Sequence, residues 1–292
     1  MFDVFIYLSS NVLKLLIMPR YFSLMVLFLL VSLNTARAQF GFSHEVGIIA
    51  GPVAFQSDYG QRHNFATNAG NTGIGIGLVH YLNFSYKAEC NCYTPETYFN
   101  DHFKVRSELS YSKTKFNMFG EWVTPEKVNK PDPAPGVPND AKQLKSMEGS
   151  TAVTDIGMQL EFYPFSIRDF AATNGAFAPF VSLGAHFSFY NPEVHSTLGK
   201  LNDVNINPKY WAPSEGEAHG FTNKNGTVWS VVSSIGTRYK LTPLSDLMLD
   251  LRAQYYFSNW VDGLNPNPAV YKENKANDWN LWLNFGYIYY LN

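Results

Sequence analysis

The sequence predicts an all-β fold, an antiparallel up-and-down transmembrane β-barrel of eight strands with long extracellular loops. Three observations predict it. Apolar and polar residues alternate with a period of two in segment after segment, glycines and charged residues share the polar phase, and the intervals between segments alternate in length. The sequence shows no sustained helical period, and no run of about 18 or more apolar residues follows residue 40.

The N-terminal 38 residues read as a segment that is removed on export. Arg20 provides a basic start, the run from Phe22 to Leu33 is apolar, and Ala36-Arg37-Ala38 is a small-x-small cleavage site. We therefore expect residues 1–38 to be a secretory signal peptide and 39–292 to be the barrel. Residues 1–17 read as an extension from an over-early start codon, with Met18 as the initiator; an N-terminal membrane anchor is the alternative.

The period-two segments define the strands in order. Turn-rich stretches separate them. The predicted strands are 44–55, 72–84, 102–116, 151–163, 176–190, 226–241, 247–258 and 278–291. An extra hairpin within 117–150 or 191–225 would give ten strands instead.

The two sets of alternate positions in each strand, its two phases, hold different types of residue. One phase is apolar in every strand, as in Ile74, Ile76 and Leu78. The other phase holds nine glycines together with charged residues. Glycine weakens a strand, so it needs a reason there; inside a narrow barrel it makes room for long side chains from the opposite wall. A soluble sandwich, the competing arrangement, would have polar outer faces rich in Thr, Lys and Glu with few glycines.

The charged residues of the inward phase are balanced in sign. We expect them to form a salt-bridge network that plugs the lumen, because eight strands enclose only enough space for side chains and an unpaired buried ion is costly. A pore selective for one ion sign would carry an excess of one charge. The predicted network consists of Glu45, Lys104, Arg106, Glu108, Asp155, Glu161, Arg238, Lys240, Asp250 and Arg252.

Interval lengths predict the orientation. Starting from a periplasmic N-terminus, the long intervals 56–71, 117–150, 191–225 and 259–277 fall outside, whereas 164–175 and 242–246 are short inner turns; 85–101 is a long inner exception. Aromatic residues at the strand ends suit the headgroup level at both interfaces. These are Trp229, Trp260 and Trp279 at the outer ends and Tyr239, Tyr287 and Tyr289 at the inner ends.

Composition excludes some functions and leaves others open. Without residues 1–38 the chain loses Lys14, Arg20, Arg37 and Asp3, and its net charge changes from −2 to −4, which gives no support to nucleic-acid binding. Cys90 and Cys92 are the only cysteines. A disulfide pinning a turn is expected there, with a thiol pair or half a metal site as alternatives. We predict no cofactor and no metal.

An enzymatic reading needs a nucleophile and a base at a lipid-facing rim. The candidates are His186 with Ser182 or Ser188, but these lie on the inward phase. His80 has no serine beside it in its own strand. The prediction is therefore a protein without catalytic residues, with a small-solute channel or a lipid A-modifying enzyme as the alternative.

The loops supply the predicted function. Segment 124–140 has five prolines, which favours an extended, semi-rigid arm. Tyr210, Trp211 and Phe221 lie among polar residues of another long loop, as in binding surfaces on rigid scaffolds. We expect a structural scaffold in contact with outer-membrane lipid. It would bind protein partners through its loops, or serve as a subunit of a larger outer-membrane assembly or secretion complex.

The last strand, NFGYIYYLN, resembles the C-terminal signal by which bacterial barrels are recognised for membrane insertion. Asn284 takes its polar position, Gly286 its glycine, and Tyr289 and Leu291 its terminal hydrophobic positions, although the usual final aromatic residue is absent. This resemblance implies that barrel assembly machinery of a Gram-negative bacterium is a transient partner.

About half of the chain without its leader, from residue 150 onward, resembles the outer-membrane β-barrel proteins of unknown function common in Bacteroidota, small barrels of the OmpA and OmpX type. The shared features are Tyr163-Pro164, Pro179-Phe180, Glu215-Gly216 and the segment from Phe257 to Asp262. The resemblance implies an eight-stranded barrel in the outer membrane and transfers no catalytic residues. The proline-rich segment is not part of it.

Overall fold

The computed structural model describes residues 42–61, 64–85, 98–271 and 277–291. The predicted signal peptide and the Cys90/Cys92 pair lie outside the described residues. In the described parts of the chain, no helix is both long enough and apolar enough to cross a membrane.

Eight antiparallel strands close into a barrel in chain order, each pairing with the next and β8 returning to β1. The predicted eight strands are thus confirmed, and the described loops add no ninth or tenth to the barrel. The strands are β1 (Ser43–Gln56), β2 (Thr72–Asn83), β3 (Phe103–Asn117), β4 (Met147–Phe162), β5 (Phe177–Ser196), β6 (Gly226–Thr242), β7 (Ser245–Tyr256) and β8 (Trp279–Leu291).

The apolar phase of the strands points outward, as predicted. Ile76 is 55% exposed, Leu183 63% and Ile235 63%, although each is a large apolar side chain. The neighbouring inward positions, such as Arg106, are fully buried. A continuous apolar outer wall around a polar interior is the arrangement of a barrel that meets lipid, since in water the exposed apolar area would be unfavourable.

Glycines of the inward phase do make room, but for other neighbours than expected. A Cβ on Gly75 would overlap the indole of Trp282, which is fully buried inside the barrel. A Cβ on Gly157 would likewise overlap the His186 ring. These two glycines therefore accommodate an indole and an imidazole rather than the long arms of Arg, Lys and Glu from the opposite wall. Periodicity alone does not show which side chain leans over which glycine.

Four connections lie at one end of the barrel, at 57–71, 118–146, 197–225 and 257–278. At the other end 163–176 and 243–244 are short, and 84–102 is the long exception that the sequence predicts. Short helical turns lie in the connections at both ends of the barrel. They are Phe65–Asn68, Tyr98–His102, Pro125–Val128, Asp140–Lys145, Ile167–Ala172 and Pro208–Trp211, with a 3-10 turn at Glu121–Val123. We call the two ends the loop end and the turn end.

The proline-rich segment is a folded element and not the extended arm expected from its prolines. Asn139 holds it together: its side-chain amide donates to the carbonyls of Val128 and Lys130, and its Oδ1 accepts from the Lys142 amide at the start of a helix. Ala134 and Val137 pair in a tight turn. One capping side chain therefore overrides the extended preference of the prolines.

Candidate functional site

The lumen is the most distinctive region, and its charged side chains lie in layers along the barrel axis. At the turn end, Glu45 accepts from Lys104 Nζ at 2.7 Å and from Arg238 Nη1 at 2.5 Å. Asp246 lies 3.4 Å from Arg238 and 3.3 Å from Lys240. All five side chains are buried, and the three basic groups share the two carboxylates through charge-assisted contacts where water is excluded.

A second layer lies in the middle of the barrel. Arg106 lies 2.9 Å from Glu108, 3.1 Å from Asp250 and 3.6 Å from Glu161. Arg252 donates two hydrogen bonds to Glu108, of 2.5 and 2.6 Å. The bidentate pair and the bridging Arg106 link several strands through charge-assisted bonds.

A third layer, nearer the loop end, differs because it contains a carboxylate and no cation. Asp155 accepts from the Ser188 hydroxyl at 2.5 Å and from the Gln254 amide at 2.9 Å. The same amide lies 3.0 Å from Ser230 Oγ. No salt bridge among the described residues includes Asp155.

The structure therefore brings nine of the ten predicted lumen residues into salt bridges and holds the tenth, Asp155, on neutral groups. It also adds Asp246, which sequence analysis missed. Asp246 lies one residue before the predicted start of the seventh strand at 247, so the sequence assigns it to the turn. Its hydrogen bond from the Tyr290 hydroxyl, at 2.7 Å, involves a residue from the far end of the chain.

An apolar plug closes the lumen at the turn end. The helical turn between β4 and β5 buries Ile167 and Phe170, which pack with Tyr163 and Phe180. Lys240 lies 3.7 Å from the centroid of the Tyr290 ring in the same region. The ion layers are thereby separated from the solvent at this mouth.

A larger apolar cluster closes the loop end. Residues from all four loops at this end and from the ends of the strands contribute to it, so the loops form a packed cap. The cluster consists of Phe55, Tyr59, Phe116, Met118, Val123, Met147, Val153, Val194, Tyr210, Val228, Tyr256, Val261 and Leu264. Hydrogen bonds between loops support it, including Thr222 N to Gly263 O at 2.9 Å and Asn265 N to Gly220 O at 2.9 Å.

The cap also contains buried carboxylates. Asp262 accepts from the backbone N–H of Asp58 at 2.8 Å and of Leu264 at 2.8 Å, which ties the first outer loop to the last. Asp278 accepts from the amides of Val261 and Asp262. Burial, together with the nearby charges of Asp278 and Asp58, raises the pKa of Asp262 well above its usual range.

The predicted loop contact residues differ in accessibility. Tyr210 is only 2% exposed and belongs to the cap cluster, so it is not available to a partner. Trp211 and Phe221 are half-buried and flank His219, whose ring lies 4.5 Å from Trp211 and 5.2 Å from Phe221. Trp122, which sequence analysis did not single out, is exposed beneath Lys127.

The candidate serine and histidine residues are held apart. His186 lies in the lumen, 3.4 Å from the Gln159 amide, while Ser182 donates to Gln159 and Ser188 to Asp155. On the outer wall, His80 contacts His44 at 3.0 Å. No described Ser–His side-chain hydrogen bond resembles an activated nucleophile.

The residues of the predicted insertion signal divide between the two faces of β8. Asn284 is buried and donates to Asp250 at 3.3 Å, and Gly286 is buried beside Met248. Tyr289 and Leu291 are exposed on the outer wall. β8 therefore alternates as a barrel strand must. Tyr289 and Leu291 face the lipid, and Asn284 and Gly286 face the lumen.

Comparison with known proteins yields matches of fold only. No protein-family model matches the chain, and no curated protein matches it by sequence. Ail, the attachment invasion locus protein of Yersinia pestis, is 8% identical with a TM-score of 0.38, and the match covers 86% of this chain and 99% of Ail. Neisserial surface protein A is 14% identical with a TM-score of 0.39, over 84% of this chain and 96% of that protein.

A third solved structure, a major outer membrane protein from Thermus thermophilus, is 14% identical with a TM-score of 0.41. The match covers 85% of this chain and 99% of that protein. At such identities and TM-scores these matches transfer no function. The barrel assignment here rests on the strand pairing and on the apolar outer wall.

Proposed function

We propose that this chain is a non-enzymatic outer-membrane barrel that acts as a structural and interaction scaffold and conducts no solute. One observation carries the proposal: the lumen is filled by buried ion pairs and closed at both ends by apolar clusters. A filled lumen leaves the folded outer loops as the surface on which function depends.

The loop end is suited to binding because its loops are packed against one another. The turn Ser214–Glu217 places Glu215 and Gly216 at positive φ, and the Glu215 carboxylate accepts from Asn265 at 2.8 Å. A surface ordered in this way loses little entropy on association. Trp211 and Trp122 offer aromatic anchors of the type enriched in protein interfaces.

Location in the outer membrane of a Gram-negative bacterium is supported by the apolar outer wall of a closed antiparallel barrel. The signal peptide at 1–38, the C-terminal insertion signal and the resemblance to Bacteroidota barrels belong to the same proposal. Its partners are outer-membrane lipid, barrel assembly machinery during insertion, and a protein partner or larger complex engaged at the loop end.

Two experiments test the proposal. In planar bilayers the purified protein should produce no large stable channels, because buried ion pairs fill the described lumen and apolar clusters close both of its ends. Steady conductance would support the channel alternative. In cells, a tagged chain extracted in mild detergent should co-purify with a fixed partner protein. The double variant Trp122→Ser/Trp211→Ser should reduce that recovery, and Trp229→Ser, on the lipid wall, should not.

The enzymatic alternative has its own readout. A deletion strain should show lipid A of unchanged mass, since none of the described serines is activated by a histidine. A mass shift restored by the wild-type chain, but not by a His80→Ala variant, would establish a lipid-modifying activity instead.

A further inference from the structure

The outermost polar layer of the lumen has an excess of negative charge. Six carboxylates and five basic side chains of the described strands are buried in the lumen, and Asp155 is the carboxylate that no basic side chain contacts. It is only 2% exposed. A buried charge without a counter-ion is strongly unfavourable, so this layer requires one further positive charge.

The side chains that contact Asp155 are neutral: the Ser188 hydroxyl and the Gln254 amide nitrogen donate to its carboxylate. Ser188 Oγ is in direct contact with the carboxylate, and Ser230 Oγ lies 3.4 Å from Ser188 Oγ. Gln254 and Asn280 are cross-strand partners on β7 and β8. Their side-chain oxygens, Oε1 and Oδ1, are both buried and have no hydrogen-bond partner. The layer therefore presents one anionic and several neutral oxygen ligands and no cation.

One unpartnered acceptor belongs to the amide that contacts Asp155 and the other to its cross-strand neighbour, and acceptors of this kind favour a cation. Rotation of the Gln254 amide by half a turn exchanges its nitrogen and oxygen, which would direct Oε1 at the position now taken by Nε2, between Asp155 and Ser230. Asn280 Nδ2 is held by the Tyr256 hydroxyl at 2.7 Å, which fixes that amide. Hard oxygen ligands suit alkali and alkaline-earth ions.

The charge of the ion follows from the ligand set. Calcium sites use several carboxylates, and the described residues contain no group of three or more carboxylate, histidine or cysteine side chains arranged around a metal. One carboxylate balances one unit of charge. We propose that Asp155, Ser188, Ser230, Gln254 and Asn280 form a binding site for a single monovalent cation of sodium size, which neutralises the lumen beneath the cap.

The site is structural, and the inference goes beyond the scaffold role because it needs no partner protein. An ion bound only in the folded barrel stabilises it by mass action. Thermal unfolding in detergent micelles should occur at a temperature higher by about 3 °C in sodium chloride than in N-methylglucamine chloride of equal ionic strength. The bulky organic cation screens charge equally but does not fit.

Variants assign the effect to this layer. Asp155→Asn should abolish the difference between the two salts, while Asp132→Asn, on an exposed loop carboxylate, should retain it. Wild-type protein should also broaden the sodium NMR signal, and Asp155→Asn should not. The sodium signal of the wild type decides the matter even if Asp155→Asn fails to fold.

Three results would overturn the inference. Equal unfolding temperatures in the two salts would exclude the ion. A difference that persists in Asp155→Asn would place it elsewhere. Stability that changes with pH but not with the cation would mean that a proton neutralises the layer. None of these outcomes bears on conductance or partner recovery. The proposed cation site and the proposed scaffold role can therefore be refuted independently of each other.

Discussion

At the scale of single residues, charged side chains in the lumen share their ion-pair partners and do not form isolated pairs. Arg106 contacts three carboxylates from three different strands, and Glu108 contacts two arginines. Replacing a whole buried ion pair by apolar groups is often tolerated, whereas removing one partner leaves a buried charge without compensation. The network therefore makes the barrel sensitive to single substitutions at its centre.

Arg106→Met should destabilise the barrel by about 3–5 kcal/mol, because Glu161 and Asp250 would lose their basic partner. Urea unfolding in micelles measures the loss. Lys142→Met, which removes a half-exposed loop ion pair, is the matched control and should have a much smaller effect. Equal losses in the two variants would contradict the role assigned to burial.

Gly75→Leu should impair folding, because its side chain would occupy the space of the Trp282 indole. Overpacking of this kind costs about 1–3 kcal/mol or more. The control is Ala50→Leu, on the exposed outer wall of the neighbouring strand, which should be neutral in lipid. The heat-dependent gel shift of the folded barrel gives the readout, and a normal folded fraction for Gly75→Leu would refute the steric argument.

At the scale of elements, the outer loops behave as one packed unit. Asp262 joins the first loop to the last through backbone hydrogen bonds, and Thr151 on β4 donates to the Val261 carbonyl at 2.7 Å. The cap has its own apolar cluster, separate from the plug at the turn end. Cap stability can therefore change while the barrel stays intact.

The cap should be more stable at acidic than at alkaline pH. The pKa of Asp262 is raised in the folded protein by burial and by Asp278 and Asp58, so the folded cap binds a proton more tightly than the unfolded loop. This contribution is complete below the ordinary carboxyl pKa and is lost as the pH rises through the raised one. Proteolysis within 257–278 should therefore accelerate with rising pH.

Asp262→Asn is the variant that tests this assignment. Its loop should be cleaved at a rate that depends less on pH, although the amide keeps only one acceptor oxygen for the two N–H donors. The exposed control Asp132→Asn should keep the wild-type dependence. Identical pH profiles for Asp262→Asn and the wild type would assign the effect to another group.

At the scale of the whole molecule, the polarity of a soluble protein is reversed. Apolar side chains cover the outer wall, and charged side chains fill the interior. The hydrophobic effect then favours insertion in a bilayer, and the closed ladder leaves no strand edge unpaired within hydrocarbon. Buried ion pairs fill the described lumen and link its strands.

Leu251→Arg should destabilise the inserted barrel by about 2–4 kcal/mol, because position 251 lies on the outer wall near the middle of β7. Leu244→Arg, at the exposed turn beside the membrane surface, should cost about 0–1 kcal/mol. Unfolding from lipid vesicles compares the two. Similar costs at both positions would mean that the apolar band is placed wrongly.

The sequence by itself determined the fold class, the strand number and the inward or outward direction of residues within the predicted strands, because a period of two fixes the face of a side chain. It predicted most of the charged lumen positions for the same reason. It did not show that β4 begins at Met147 and that β5 continues to Ser196. Loop structure was harder to predict. The prolines in 124–140 predicted an extended arm, but hydrogen bonds of the Asn139 side chain hold this segment in a folded element.

Only the tertiary structure decided which groups meet. It showed Trp282 over Gly75, Asp246 among the lumen ions, Tyr210 inside the cap, and Asp155 without a basic partner. These facts depend on the stagger between strands and on contacts between loops far apart in the chain. A local pattern fixes the direction of a side chain, but its partner depends on how the barrel closes.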